Sequence, residues 1–130
     1  MIKILVVDDE RDILDEIEET LTEEGYQAIC MGSVDAALTV LRNHADINLV
    51  VTDLKMPGKS GADLIAEARA EFEREITFII ISGHGSPSAE SFGLDINQFI
   101  FHRKPLDIDR FLESLETEIG RIQKEKKYDK

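Results

Sequence analysis

The sequence has little cysteine and no long apolar run. Its 130 residues include a single cysteine, Cys30, so no internal disulfide can form and a reducing, cytoplasmic setting is expected. No segment approaches the run of about 18 apolar residues that indicates a membrane-spanning helix, and we expect no membrane association. The apolar strand pattern begins at residue 2, which leaves no room for a signal peptide.

Basic residues are also scarce. The chain has 15 Lys and Arg against 27 Asp and Glu, a formal net charge of −12. A chain with this balance lacks the basic field that attracts nucleic-acid phosphates, so direct nucleic-acid binding is not expected. Apolar residues still make up 42% of the sequence, which argues for a folded domain and against disorder.

Short apolar runs alternate with amphipathic segments along the whole chain. Strands are predicted over 2–7, 26–31, 47–52, 76–81 and 98–101. Helices are predicted over 11–24, 34–43 with Ser33 as the N-cap, 63–72 and 108–122, with a short further helix starting near Ser86 or Pro87. This alternation predicts an α/β fold, a doubly wound, five-stranded parallel sheet with helices on both faces. We expect one domain over 1–122, followed by a charged helical tail or linker stub over 123–130.

Polar side chains follow these strands at the points where the strands end. They are Asp8 and Asp9 after the first strand, Asp53 after the third, Ser82 after the fourth and Lys104 shortly after the fifth. Because the carboxyl ends of parallel strands share one edge of the sheet, residues far apart in sequence can meet there. Three carboxylates and one ammonium suit a phosphoryl group and a hard divalent cation such as Mg²⁺.

Asp53 gives the sharpest of these signals, because it directly follows a strand and precedes a loop with one Pro and two Gly. A carboxylate in this place can act as a nucleophile and form an aspartyl-phosphate, with a metal ion neutralising the transferring group. Each residue also has a plainer interpretation. Asp8 and Asp9 could favour a helix N-terminus, Asp53 could start a turn, Ser82 could cap a loop and Lys104 could simply be solvated.

Four motifs in order, VVDDE, VVTDLKMPGKSG, IIISG and FHRKP, resemble the response-regulator receiver domain of two-component signalling. The resemblance covers about residues 2–122 and implies the flavodoxin-like strand order 2-1-3-4-5. It also implies a switch that catalyses only its own phosphoryl transfer and hydrolysis, and is no enzyme for a separate substrate. The implied roles are phosphoacceptor for Asp53, Mg²⁺ ligands for Asp8, Asp9, Asp53 and the Lys55 backbone carbonyl, phosphoryl contacts for Ser82 and Lys104, and switch positions for Ser82 and Phe101.

The same resemblance implies the partners. A sensor histidine kinase or a phosphotransfer protein would donate the phosphoryl group, and an output domain or an effector protein would respond, with a phosphorylation-dependent dimer as one form of response. The acidic first helix is a candidate docking surface, although a solvated helix face is the commoner explanation. The sequence departs from the family pattern at Gly83, at Asn97-Gln98 and at Phe101, which stands where tyrosine is more common. We expect a more mobile surface around these positions.

Two other functions compete with this interpretation. A phosphatase of the haloacid-dehalogenase type also uses a strand-end Asp, but it needs a second Asp two residues later. Here Glu10 follows Asp8 at that spacing and Arg11 follows Asp9, so the motif is absent. An interaction module with the same fold but no phosphorylation would be expected to lack Asp8, Asp9, Asp53 or Lys104, and all four are present.

Overall fold

The structure is a computed structural model that describes residues 1–83 and 93–128. Its strands are β1 Lys3–Val7, β2 Gln27–Met31, β3 Leu49–Asp53, β4 Thr77–Ser82 and β5 Ile100–Arg103. They form one parallel sheet in the order β2-β1-β3-β4-β5, as predicted. The helices of the described residues are α1 Arg11–Glu23, α2 Val34–Asn43, α3 Gly61–Glu71 and α4 Ile108–Tyr128, with a 3₁₀ turn at Ile96–Gln98. The short helix predicted near Ser86 or Pro87 lies outside the described residues.

The sheet is covered on both faces, as its apolar central strands require. On one face, Leu5, Val50 and Ile80 pack with the apolar sides of α2 and α3. On the other face, Val6 and Val51 pack with α1 and α4. The polar end of each buried strand can therefore emerge only at a sheet edge, and the carboxyl edge is where the predicted site residues lie.

Local capping determines where the helices begin and end. The Ser33 hydroxyl accepts a hydrogen bond from the Ala36 N–H at 3.2 Å, which makes Ser33 the predicted N-cap of α2. Ser60 and Asp63 form a capping box, so α3 begins at Gly61 rather than at Asp63 as the apolar periodicity predicted. Gly25 has a positive φ of 87° just past α1, a conformation that glycine adopts without strain.

The final helix is longer than the predicted domain. It continues past residue 122 to Tyr128, so residues 123–128 are helical, while the division of the chain at residue 122 into a domain and a tail or linker stub stays a prediction. Arg121 Nη2 donates to Thr77 Oγ1 at 2.7 Å and joins this part of α4 to β4. Within the described ranges, no helix combines the length and apolar character needed to cross a membrane.

Candidate functional site

Two buried carboxylates lie at the carboxyl edge of the sheet. Asp53 is the last residue of β3, and Asp8 directly follows β1; the two residues are 4% and 0% exposed. One oxygen of each side chain is held by the backbone. Asp8 Oδ1 accepts from the Glu10 N–H at 2.9 Å, and Asp53 Oδ1 accepts from the Leu54 N–H at 2.8 Å. The second oxygen of each carboxylate is therefore the one directed to the shared site.

The Lys104 ammonium occupies the space between these carboxylates. Its Nζ lies 2.7 Å from Asp8 Oδ2, 2.9 Å from Glu10 Oε1 and 3.1 Å from Asp53 Oδ2. The Lys104 side chain is only 8% exposed. Its backbone is held as well, since the Lys104 N–H donates to the Ser82 carbonyl at 2.8 Å. The Lys104–Pro105 peptide is cis. The ends of β1, β3, β4 and β5 thus meet around one ammonium group.

Burial and charge act in opposite directions on this cluster. Burial raises the pKa of Asp8 above its ordinary value, and the contact with Lys104 lowers it by less. Burial likewise raises the pKa of Asp53, with Lys104 acting in the opposite sense. For Lys104, burial lowers the pKa, but bonds to the three carboxylates raise it by more, so the net shift is upward. The Lys104 ammonium therefore stays charged. Burying Asp8, Asp53 and Lys104 costs solvation free energy.

The loop between β3 and α3 packs closely against the backbone of Asp53. The Gly61 N–H donates to the Leu54 carbonyl at 2.8 Å, which closes the loop between β3 and α3. A Cβ at Gly61 would lie 2.2 Å from the Asp53 carbonyl oxygen, so no other residue fits there without moving Asp53. Glycine at position 61 is therefore required for Asp53 to keep its position.

The sequence-predicted residues differ in where the structure places them. Asp8, Asp53 and Lys104 come together, as expected for residues at one sheet edge. Asp9 is exposed, and the third carboxylate that converges is that of Glu10. Lys55 is exposed in the loop after β3. The roles predicted for Asp9 and for the Lys55 carbonyl stay predictions.

The two predicted switch residues lie on neighbouring strands. Ser82 is half-buried at the end of β4, one position past Ile81, the register partner of Asp53. Phe101 is half-buried on β5, opposite Ile80, and its ring meets that of Phe99 edge to face with centroids 6.5 Å apart. Their roles as switch residues also stay predictions.

Glu10 was not among the residues predicted from the sequence. The only signal for it is an acid three positions past the end of an apolar strand. Glu10 is the residue before α1 and has extended backbone angles (φ −87°, ψ 112°), but its side chain caps no helical N–H. The side chain is instead free to reach Lys104, a residue 94 positions away in the chain.

The donor set fits a hard divalent cation. Ligand oxygens of Asp8, Glu10 and Asp53 all lie within 4.8 Å of one another. Asp8 Oδ2 is buried and close to the Lys104 ammonium, yet among the described residues it has no partner with hydrogen-bond geometry. A carboxylate oxygen so placed is an available ligand atom, and three carboxylates without sulfur or imidazole suit Mg²⁺.

Comparisons with known proteins bear on the family and the fold of this chain. A family model described as the response regulator receiver domain matches residues 4–116. The transcriptional regulatory protein AruR of Pseudomonas aeruginosa is 30% identical over 125 residues, which cover 93% of this chain and 50% of that protein. The chain therefore spans about half the length of this curated relative.

Two solved structures show the same fold. A response regulator receiver domain protein from Clostridium thermocellum superposes with a TM-score of 0.82 at 29% identity, covering 95% of this chain and 98% of that one. A response regulator receiver protein from Pseudomonas putida gives a TM-score of 0.79 at 28% identity, covering 88% and 95%. Both likenesses extend over most of this chain.

Proposed function

The chain belongs to the response regulator receiver domain family, and from this premise we propose that Asp53 accepts a phosphoryl group and thereby switches the surface of the domain. The observation that supports this most strongly is the position of Asp53. It is a buried carboxylate at a strand end, with its Oδ2 3.1 Å from an ammonium and a second carboxylate beside it. A carboxylate with only a structural role gains nothing from this costly arrangement.

In the proposed reaction, Asp53 Oδ2 attacks the phosphorus of the donor. A new P–O bond forms as the bond to the donor atom breaks, and the donor leaves with the electron pair. The Leu54 N–H holds Asp53 Oδ1, so the free oxygen is already directed to the site. Lys104 stabilises the added negative charge on the phosphoryl oxygens. Mg²⁺, when bound, would neutralise further charge on that group.

Asp8 and Asp53 would hold the metal ion, together with a carboxylate from the segment after β1 and the predicted carbonyl of Lys55. Both acids in that segment are candidates. Asp9 is the one that the family resemblance implies, and Glu10 is the one that converges in the structure. Removing either Asp8 or the metal should abolish transfer, because the charge on the phosphoryl group would then face two or more carboxylates with only Lys104 to balance it.

The donor is proposed to be a sensor histidine kinase or a phosphotransfer protein, which would dock beside the site, with the acidic face of α1 as a candidate surface. The response would run from the phosphoryl group through Ser82 and Lys104 to Phe101. The Ser82 carbonyl already holds the Lys104 N–H, so movement at one position is transmitted to the other. An output domain, an effector protein or a second copy of the chain would then recognise the changed surface. The phosphoryl transfer and its hydrolysis would be self-catalysed, in a cytoplasmic setting.

Intact mass after incubation with acetyl phosphate and Mg²⁺ tests this proposal. We expect a gain of one phosphoryl group, and no gain for Asp53→Asn or for a sample with the metal chelated. Asp12→Asn, which removes one exposed charge from the first turn of α1, should behave as the unmodified chain. No gain in any sample, together with no binding of fluoroberyllate, would favour an interaction module instead.

A further inference from the structure

The Lys104 ammonium is surrounded by three carboxylates. Its Nζ donates hydrogen bonds to Glu10 Oε1 at 2.9 Å and to Asp53 Oδ2 at 3.1 Å, and it forms an ion pair with Asp8 Oδ2 at 2.7 Å. A phosphoryl oxygen on Asp53 would therefore compete with these carboxylates for the ammonium. Which of the three contacts it keeps determines how strongly it can hold the phosphoryl group.

The three carboxylates are not equivalent. All three supply oxygens to the space in which a cation would bind, but only Asp8 and Asp53 are buried. The Glu10 side chain is 59% exposed and comes from the residue before α1. If Asp8 and Asp53 held a metal ion, Glu10 would be the carboxylate of the three left to hold Lys104.

We propose that Glu10 is a positioning residue that competes with the phosphoryl group for the Lys104 ammonium, and so weakens the phosphorylated state of the domain. This inference rests on the proposed function. Glu10 weakens phosphoryl binding in two ways. Glu10 retains the cation that the phosphoryl group needs, and its own negative charge lies close to the incoming anion. Loss of the charge at Glu10 should strengthen the binding of a phosphoryl mimic.

The test is the affinity for fluoroberyllate, a mimic of the phosphoryl group, followed by ¹⁹F NMR at saturating Mg²⁺. An ion pair with one exposed partner is worth up to about 1 kcal/mol, so Glu10→Gln should bind the mimic about two- to fivefold more tightly than the unmodified chain. Asp12→Asn is the matched control, because it removes one exposed acid from the same end of α1 and has no contact with Lys104 in the described residues. It should leave the affinity unchanged within error.

A double-mutant cycle shows whether Glu10 acts through Lys104. In a Lys104→Gln background, Glu10→Gln should lose most of its effect on fluoroberyllate affinity. An equal effect in both backgrounds would overturn the proposal and assign the result to long-range charge. Equal or weaker binding by Glu10→Gln would overturn it as well.

The Mg²⁺ affinity of the same variants, measured by calorimetry, distinguishes a positioning role of Glu10 from a role as a metal ligand. A loss of more than about tenfold in Glu10→Gln would make Glu10 a metal ligand and contradict the positioning role. If the unmodified chain binds no fluoroberyllate at all, the proposed function fails and this inference fails with it. If the unmodified chain binds the mimic and Glu10→Gln matches Asp12→Asn, only this inference fails.

Discussion

At the scale of single residues, the site combines groups that a stable fold would avoid. Asp8 and Asp53 are buried, and burial outweighs the attraction of Lys104 enough to raise the pKa of both. Ionising them therefore costs stability in the folded state relative to the unfolded chain. Such a cost is common at functional sites, where residues serve a ligand at the expense of the fold.

Asp53→Asn should stabilise the protein at pH 7 by roughly 1 kcal/mol, while it abolishes phosphorylation. The amide can keep the bond from the Leu54 N–H and carries no charge to bury. A folded-state pKa above the ordinary value of 3.8 means that the stability contributed by Asp53 is present below that pH and is lost as pH rises through the folded-state pKa. The gain from Asp53→Asn should therefore shrink toward pH 3.8.

Urea unfolding at several pH values, with Asp12→Asn as the control for general charge, measures this effect. A loss of stability in Asp53→Asn at pH 7 would show that its pairing with Lys104 exceeds the cost of burial. The same variant is unable to accept a phosphoryl group in our account, so the two properties should change in opposite directions.

At the scale of elements, the loop between β3 and α3 depends on one close approach. A methyl group at Gly61 would lie 2.2 Å from the Asp53 carbonyl oxygen, so Gly61→Ala must displace either the N-terminus of α3 or the end of β3. We expect a loss of roughly 2 kcal/mol or more in the free energy of unfolding and slower phosphorylation.

Gly120→Ala is the matched control, because Gly120 lies inside α4 with nothing within 4 Å of the added methyl group. Helix propensity alone should raise stability there by up to about 1 kcal/mol. Thermal unfolding of the two variants should show a lower melting temperature for Gly61→Ala and an equal or higher one for Gly120→Ala. Similar losses in both would mean that the close approach at Gly61 has no special cost.

Another element-scale prediction concerns the end of α2. The Arg74 guanidinium donates to the carbonyls of Leu41, His44 and Ile47 at 2.9, 3.2 and 3.2 Å. The Leu41 carbonyl belongs to the last turn of α2, where helical partners run out, and the carbonyls of His44 and Ile47 belong to the segment that follows the helix. Arg74→Lys keeps the charge but loses the planar fork, so we expect it to cost about 1 to 3 kcal/mol in urea unfolding.

Arg110→Lys provides the comparison, since the Arg110 side chain is 82% exposed and its pair with Asp107 is 3.7 Å long. It should change the free energy of unfolding by less than about 0.5 kcal/mol. If Arg74→Lys is equally mild, water can replace the guanidinium at the end of α2.

At the scale of the whole molecule, the fold could be predicted because its signals are local and repeated. Each buried strand is a short apolar run, each helix has one apolar face, and the alternation leaves few ways to cover both sides of the sheet. Small errors occurred where a side chain decides a boundary. The capping box of Ser60 and Asp63 is one such case, since it starts α3 two residues before the apolar pattern does.

The site could be predicted only in part. Asp8, Asp53 and Lys104 follow strands, so the topology of the sheet places them together. The convergence of Glu10 depends on the path of the chain after β1 and on the reach of a side chain 94 positions away, and no local pattern encodes either. The exposure of Asp9 has the same cause, because a one-residue change in direction past the strand end reverses which acid faces inward.

Asp53 is the residue that we propose receives the phosphoryl group, and its identity can be measured directly. Borohydride reduction of the domain after reaction with acetyl phosphate and Mg²⁺ would convert an aspartyl-phosphate into homoserine, which peptide mass mapping can locate. We expect homoserine at position 53 and no reduced product at any other acidic residue. Homoserine at Asp8 or Asp9, hydroxynorvaline at Glu10, or either product in Asp53→Asn would contradict the assignment of Asp53.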